Sequence, residues 1–306
     1  MNRRQFLANT LAAAAAPSLL AQTPSRWGGP VLDIHLHLRQ NPDSDFDHIE
    51  GCGVTKAVLL TPAQSVAQAK AAIDKYPGRF LFFTSVNVAQ PDAIASLRKA
   101  VEAGSKGFGE LKTADMAVDG PEMRRVYELA ADVQVPVLIH FQDYASQPGG
   151  SDVFNTGISR LPAVLKAHPK TTFIGHANSF WANISADVPP VSYPSGRVKP
   201  GGLTDRMLAD YANLYGDLSA NSGRNALGRD PEFAAEFLKR HQNKLMLGSD
   251  CPCLDGHGAG QVSKEPWING KCVAQETLTA LKKLANPEVF RKITWDNGVK
   301  LLKISA

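Results

Sequence analysis

The sequence is poor in cysteine, with four in 306 residues, at positions 52, 251, 253 and 272. That is too few for a disulfide scaffold in a chain of this length. It lacks a strong charge of either sign: 33 Lys and Arg face 29 Asp and Glu, a net of +4 scattered along the chain. Nothing in that balance implies a nucleic-acid partner. No Gly-x-Gly-x-x-Gly follows the first apolar strand, so a dinucleotide-binding sheet has no support. Internal repeats and low-complexity segments are absent apart from one alanine run near the start. With 43% hydrophobic and 20% charged residues, disordered and fibrous classes are excluded as well.

That alanine run belongs to residues 1–22, which read MNRRQFLANTLAAAAAPSLLAQ. A basic start, a short apolar stretch and small residues ahead of Gln22-Thr23-Pro24 are the layout of a secretory signal. The pair Arg3-Arg4 followed by Gln5-Phe6-Leu7 resembles a twin-arginine export signal. The expectation is export to the periplasm or the extracellular space, with no stable membrane anchor, because the apolar stretch is short. Without Arg3 and Arg4 the formal charge falls from +4 to +2. The mature fold is expected to occupy residues 27–306.

Short apolar runs then alternate with helical patterns. Strands are expected at 31–38, 55–60, 80–87, 105–112, 135–141, 171–178, 214–220 and 244–250. Helices are expected at 63–76, 91–103, 121–133, 161–168, 203–213 and 231–241, punctuated by Pro at starts and by Gly or Pro past ends. Eight such units predict one closed (β/α)8 barrel, with an open doubly wound sheet as the alternative. Three connections are long, 142–160, 179–202 and 251–270 after strands 5, 6 and 8, all on the face where such barrels carry their sites.

Polar residues fall near the C-terminal ends of five of these apolar strands. Strand 1 offers Asp33-Ile34-His35-Leu36-His37, and alternation puts both histidines inward. Strand 4 offers Glu110 and Lys112, strand 5 His140, strand 6 His176 and strand 8 Asp250. A single histidine in an apolar run is usually a hydrogen-bonded core residue. Six such groups at one end of one barrel are each other's neighbours, and burying them without partners costs several kcal/mol each. A metal relieves that cost. Nitrogen and oxygen ligands suit one or two divalent ions, Zn first, then Mn, Fe, Co or Ni. His48, His168, His241 and His257 lie away from strand ends, His168 and His241 at helix C-termini, and His257 is the one that could reach substrate.

The motifs DIHLHL, KGFGELK, VLIHF, FIGHAN and LMLGSDCP, with YGDLSA and the closing KITWDNGVKLL, resemble the amidohydrolase superfamily of metal-dependent barrel enzymes, in its amidohydrolase-related branch. The resemblance implies that His35 and His37 bind one metal and that Asp250 binds it and moves protons. His140 and His176 bind a second metal, or His140 the first with His176 as a catalytic acid/base. Many relatives carry a carboxylated lysine on strand 4. Glu110, placed as in TatD-type deoxyribonucleases, is preferred here over a carboxylated Lys112, which could instead hold a substrate carboxylate.

The expected activity is hydrolysis of a small amide, ester or lactone by metal-activated water, with Asp250 as the proton carrier. A nonoxidative decarboxylase or other lyase on the same site is the alternative. A non-catalytic metal-binding protein fits less well, because the ligand set is complete. Asp33 either orients a ligand or bonds backbone. Arg224, and with less claim Arg39, could clamp a substrate carboxylate. Trp181 and Tyr193 could line the pocket, and Cys251 and Cys253 read as pocket-wall thiols beside Asp250. The partner is a small-molecule substrate, with no nucleic acid, and homo-oligomerisation is left open.

Overall fold

Eight parallel strands form one sheet in sequential order, β1-β2-β3-β4-β5-β6-β7-β8. In this computed structural model residues 25–145, 150–263 and 267–304 are described, and the expected export signal, 1–22, lies outside them. The strands are β1 (Leu32–His37), β2 (Lys56–Pro62), β3 (Phe80–Ser85), β4 (Phe108–Leu111), β5 (Val137–His140), β6 (Phe173–His176), β7 (Leu214–Asp217) and β8 (Leu245–Met246). Between and after them run α1 (Pro42–Cys52), α2 (Val66–Lys75), α3 (Ala93–Glu102), α4 (Pro121–Val133), α5 (Leu161–Ala167), α6 (Asn178–Ala182), α7 (Leu203–Asp210), α8 (Ala220–Gly228) and α9 (Pro231–Arg240). Three more, α10 (Val273–Leu284), α11 (Pro287–Arg291) and α12 (Asn297–Leu302), follow β8. The first and last strands meet: the Ile34 N–H donates to the Leu247 carbonyl at 3.0 Å and the Asp250 N–H to the His35 carbonyl at 2.7 Å. The (β/α)8 barrel is thereby established.

Two layers of core follow from the strand pattern. Leu32, Ile34, Val58, Leu60, Phe83, Leu138, Ile174 and Met246 fill the barrel, and Trp295 and Leu302 plug its lower end. The outward faces pack against the helices, whose boundaries follow local chemistry. Pro121 opens α4, and Gln134 ends it in the left-handed region. The Asp230 carboxylate caps α9 by accepting from the Phe233 N–H.

The register slips in two strand pairs, between Asp33 and Leu36 against β2 and between Phe108 and Leu111 against β5. Such irregularities re-aim side chains. In β1 the slip lets Ile34 and His35, neighbours in sequence, both face the barrel interior. These are the strands that carry His35, His37 and Glu110.

Three departures from expectation stand out. Strand 8 is two residues long instead of seven, because the chain leaves extended geometry and reaches Asp250 at φ +48°. Helix α1 was not expected: its pattern is weakly amphipathic and acidic, and it is fixed by Asn41 as cap, Pro42 at its start and Gly53 in the left-handed region after it. Trp181 is not a pocket residue. It is 2% exposed, and its Nε1 donates to the Asp217 carbonyl at 2.9 Å. Among the described residues no helix is long and apolar enough to cross a membrane.

Candidate metal centre

The C-terminal strand ends bring five of the six expected ligands into direct reach. Donor atoms of His35, His37 and Asp250 lie within 4.8 Å of one another, and so do those of His35, Glu110 and His176. His37 Nε2 stands 3.4 Å from Glu110 Oε2 and 3.4 Å from Asp250 Oδ1, and His176 Nε2 stands 3.3 Å from Glu110 Oε1. His140 joins through Glu110: its Nδ1 is 2.5 Å from Glu110 Oε1, while its Nε2 faces Gln142 Oε1 at 2.9 Å. His35 and His176 are buried, but the His37 side chain is 54% exposed and Asp250 29%. The cluster therefore has a closed floor and an open rim. A cleft of about 560 Å³, touched by His37, Leu38, Arg39, Asp250 and Pro252, leads to it.

Sequence reasoning missed the floor. Asp217 ends β7 and is fully buried; its Oδ2 lies 2.6 Å from His35 Nδ1 and accepts from Ser219 Oγ at 2.7 Å. Ser219 Oγ also reaches His176 Nδ1 at 2.7 Å. The signal was there, since an aspartate at the end of an apolar strand follows the same pattern as the other five. Asp33 bonds backbone: one oxygen accepts from the N–H groups of His35 and Ser249, both at 2.9 Å. It thus ties the two strand ends that carry ligands.

A cation fits this arrangement. With Nδ1 held by Asp217, His35 Nε2 is buried and has no hydrogen-bond partner, which is the state of a metal-ligating imidazole backed by a carboxylate. The local field favours positive charge at that atom. Burial opposes a charged His35, yet the Asp217 and Asp250 carboxylates outweigh it and lift the imidazole to about 10. Burial would likewise raise Glu110, but hydrogen bonds with His140, His176 and His37 hold it well below the usual carboxylate range. Burial, then the neighbouring His35 charge, push His176 down.

Backbone conformation supports the cluster. Ala177, Ala220 and Asp250 follow β6, β7 and β8 with φ of +78°, +59° and +48°, a region non-glycine residues occupy only where the surroundings impose it. At Gly248 a Cβ would run into the Asp217 carboxylate, and it would stand 2.8 Å from His35 Cβ and 2.9 Å from Ser219 Cβ. Gly248→Ala is therefore expected to destabilise the protein by about 1–3 kcal/mol. A thermal melt checks this, and an unchanged midpoint would contradict the packing described.

The expected substrate residues lie apart. Lys112 is exposed with Nζ 4.9 Å over the Phe154 ring. Arg224 on α8 stacks 5.8 Å over Trp267 beside Arg229, and it makes no ion pair with the cluster among the described residues. Arg39 is not a free clamp: its guanidinium donates to Asp45, to the Ser44 carbonyl and to the carbonyls of Cys251 and Cys253. Nor does His257 reach the cluster; it faces Gln275 at 3.3 Å. His168 and His241 follow the ends of α5 and α9, as expected.

The sequence model of a family described as Amidohydrolase matches residues 48–304. A search of curated proteins finds no match. Solved structures resemble the fold at low identity. An amidohydrolase from Burkholderia multivorans with bound zinc is 12% identical with TM-score 0.58, covering 90% of this chain and 100% of its own. A protein provisionally named a 2-pyrone-4,6-dicarboxylic acid hydrolase, from Pseudomonas putida, is 14% identical with TM-score 0.56, over 90% and 98%. A TatD homologue from Escherichia coli K12 is 14% identical with TM-score 0.54, again over 90% and 98%.

Proposed function

Because this chain belongs to the amidohydrolase family and is an enzyme of that superfamily, we propose that its barrel mouth hydrolyses a small amide, ester or lactone with a bound divalent cation. The observation that carries this reading is the unpartnered Nε2 of His35, aimed among His37, Glu110, His176 and Asp250 with Asp217 behind it. A cation bound there supplies a water of lowered pKa and an electrophile for the attacked carbonyl. The nitrogen and oxygen donors favour Zn, with Mn, Fe, Co or Ni as alternatives.

The chain's own residues then have distinct tasks. Asp250, at the rim, takes a proton from the attacking water and returns it to the leaving atom. Glu110, held as a carboxylate by three imidazoles, needs no modification to act as the ligand of strand 4, so a carboxylated Lys112 is not required. His176, tied below by Ser219, keeps its Nε2 turned toward Glu110. Lys112 and Arg224 lie apart from the cluster, so in this reading they would meet only a substrate carboxylate remote from the reacting carbon. Arg224 Nε is buried without a partner, as are Nε and Nη2 of the adjacent Arg229. Arg224→Met is expected to raise KM about tenfold for an acidic substrate, the worth of roughly one charged hydrogen bond, with kcat little changed. Equal KM values for both proteins would remove Arg224 from the site.

Residues 1–22 are proposed to be an export signal ahead of a single catalytic domain, 27–306. N-terminal sequencing of the exported protein tests this. The activity itself is tested with a panel of amides, esters, lactones and cyclic lactone carboxylates, beside aromatic carboxylic acids. Metal-dependent hydrolysis of one of the first four classes is expected. Release of carbon dioxide from an aromatic acid with no hydrolysis would overturn the reading in favour of a lyase.

A further inference from the structure

Behind Asp250 lies a second group of ligating side chains that the hydrolytic reading does not use. Cys251 and Cys253 follow directly; Cys251 borders the cleft, and the sulfurs of both meet in the buried interior. Cys251 Sγ is 3.3 Å from Cys253 Sγ and 3.8 Å from Cys272 Sγ, and Cys253 Sγ is 3.3 Å from His48 Nδ1. All four donor atoms lie within 4.8 Å of one another, and all four residues are buried. The cysteines are free thiols.

We propose that His48, Cys251, Cys253 and Cys272 form a second, structural metal site that takes zinc and pins the Asp250 loop to α1 and α10. Three sulfurs and one imidazole nitrogen are a common set for structural zinc. A Zn–S bond of about 2.3 Å places tetrahedral sulfurs about 3.8 Å apart, and the Cys251–Cys253 and Cys251–Cys272 separations need to change by half an ångström or less. Thiolate softness selects zinc here over the harder divalent ions. With all four positions supplied by buried side chains, no position is open to substrate, which separates this site from the open rim around Asp250.

The surroundings suit a metal–thiolate centre. The Val273 N–H donates to Cys251 Sγ at 3.2 Å, a bond that a thiolate accepts better than a thiol. His48 Nε2 faces the Cys52 sulfur at 3.9 Å, leaving Nδ1 toward the cluster. Arg39 holds the carbonyls of both Cys251 and Cys253 at 2.9 and 2.8 Å. The four ligands come from α1, from the loop after β8 and from the residue that precedes α10. They join these three segments one residue from the proposed proton carrier.

The test is X-ray absorption at the zinc edge on the full chain, expressed with zinc and purified under reducing conditions without chelators. A sulfur shell at about 2.3 Å is expected, together with at least one equivalent of zinc. After cobalt replacement, thiolate-to-cobalt charge transfer should appear in the near ultraviolet. It should persist in His37→Ala, whose change lies in the barrel centre, and vanish in Cys253→Ala. Should Cys253→Ala not fold, the wild-type sulfur shell decides alone. A zinc environment of nitrogen and oxygen only, or a Cys251–Cys253 or Cys251–Cys272 disulfide found by mass spectrometry in the zinc-loaded protein, would overturn the proposal.

Discussion

Asp250→Asn is expected to lose about 10²–10⁴-fold in kcat, the usual contribution of a positioned acid–base group, while the barrel stays folded. The reasoning is local. Asp250 sits at φ +48°, with its N–H bonded to the His35 carbonyl, so the backbone aims its side chain whatever the side chain is. Asparagine tolerates that conformation well. It removes the proton-accepting oxygen without moving the chain. His37, 3.4 Å away, loses a carboxylate neighbour and is exposed enough to be rehydrated. The loss should therefore fall mainly on kcat. A variant with wild-type kcat would show that another group carries the proton.

Asp217→Asn should act through metal affinity instead. Asp217 does not face the cleft; it is fully buried beneath His35, Ser219 and His176. Its carboxylate fixes the His35 ring and raises the basicity of Nε2. Removing such a partner costs about 10–100-fold in metal affinity. The buried Ser219 hydroxyl and two imidazoles also lose their charged acceptor, so a lower melting temperature should accompany the change. The readout is a metal dissociation constant, measured by competition with a chelator. Saturating metal should restore much of the activity of Asp217→Asn and none of that of Asp250→Asn. An unchanged dissociation constant would mean that Asp217 is only a packing residue.

Most of the architecture could be read from residue order, because a buried parallel strand is a continuous apolar run and its helices are marked by proline and glycine. α4 was expected at 121–133 and spans Pro121–Val133. The His35–His37 pair was legible for the same reason: polar groups at the ends of such runs stand out. Asp217 follows the same rule but does not stand out, because the strand expected over 214–220 places it in the middle, whereas β7 ends at Asp217. The ends of β8 and the slips in β1 and β4 were not legible, since they depend on how neighbouring strands pair. The His48–Cys251–Cys253–Cys272 cluster was least visible. Its members lie 203 residues apart at first, from His48 to Cys251, and His48 sits on a helix whose pattern is too weak to show which way it faces. Only closure of β8 onto β1 brings them together.

The central claim is that the barrel mouth holds a divalent cation between His35, His37 and Asp250. Anomalous diffraction at the metal edge, from crystals of active protein never exposed to chelator, tests it most directly. The account predicts a peak about 2.0–2.1 Å from His35 Nε2 and from His37 Nε2. An active protein whose crystals show no anomalous peak beside those two nitrogens would contradict it.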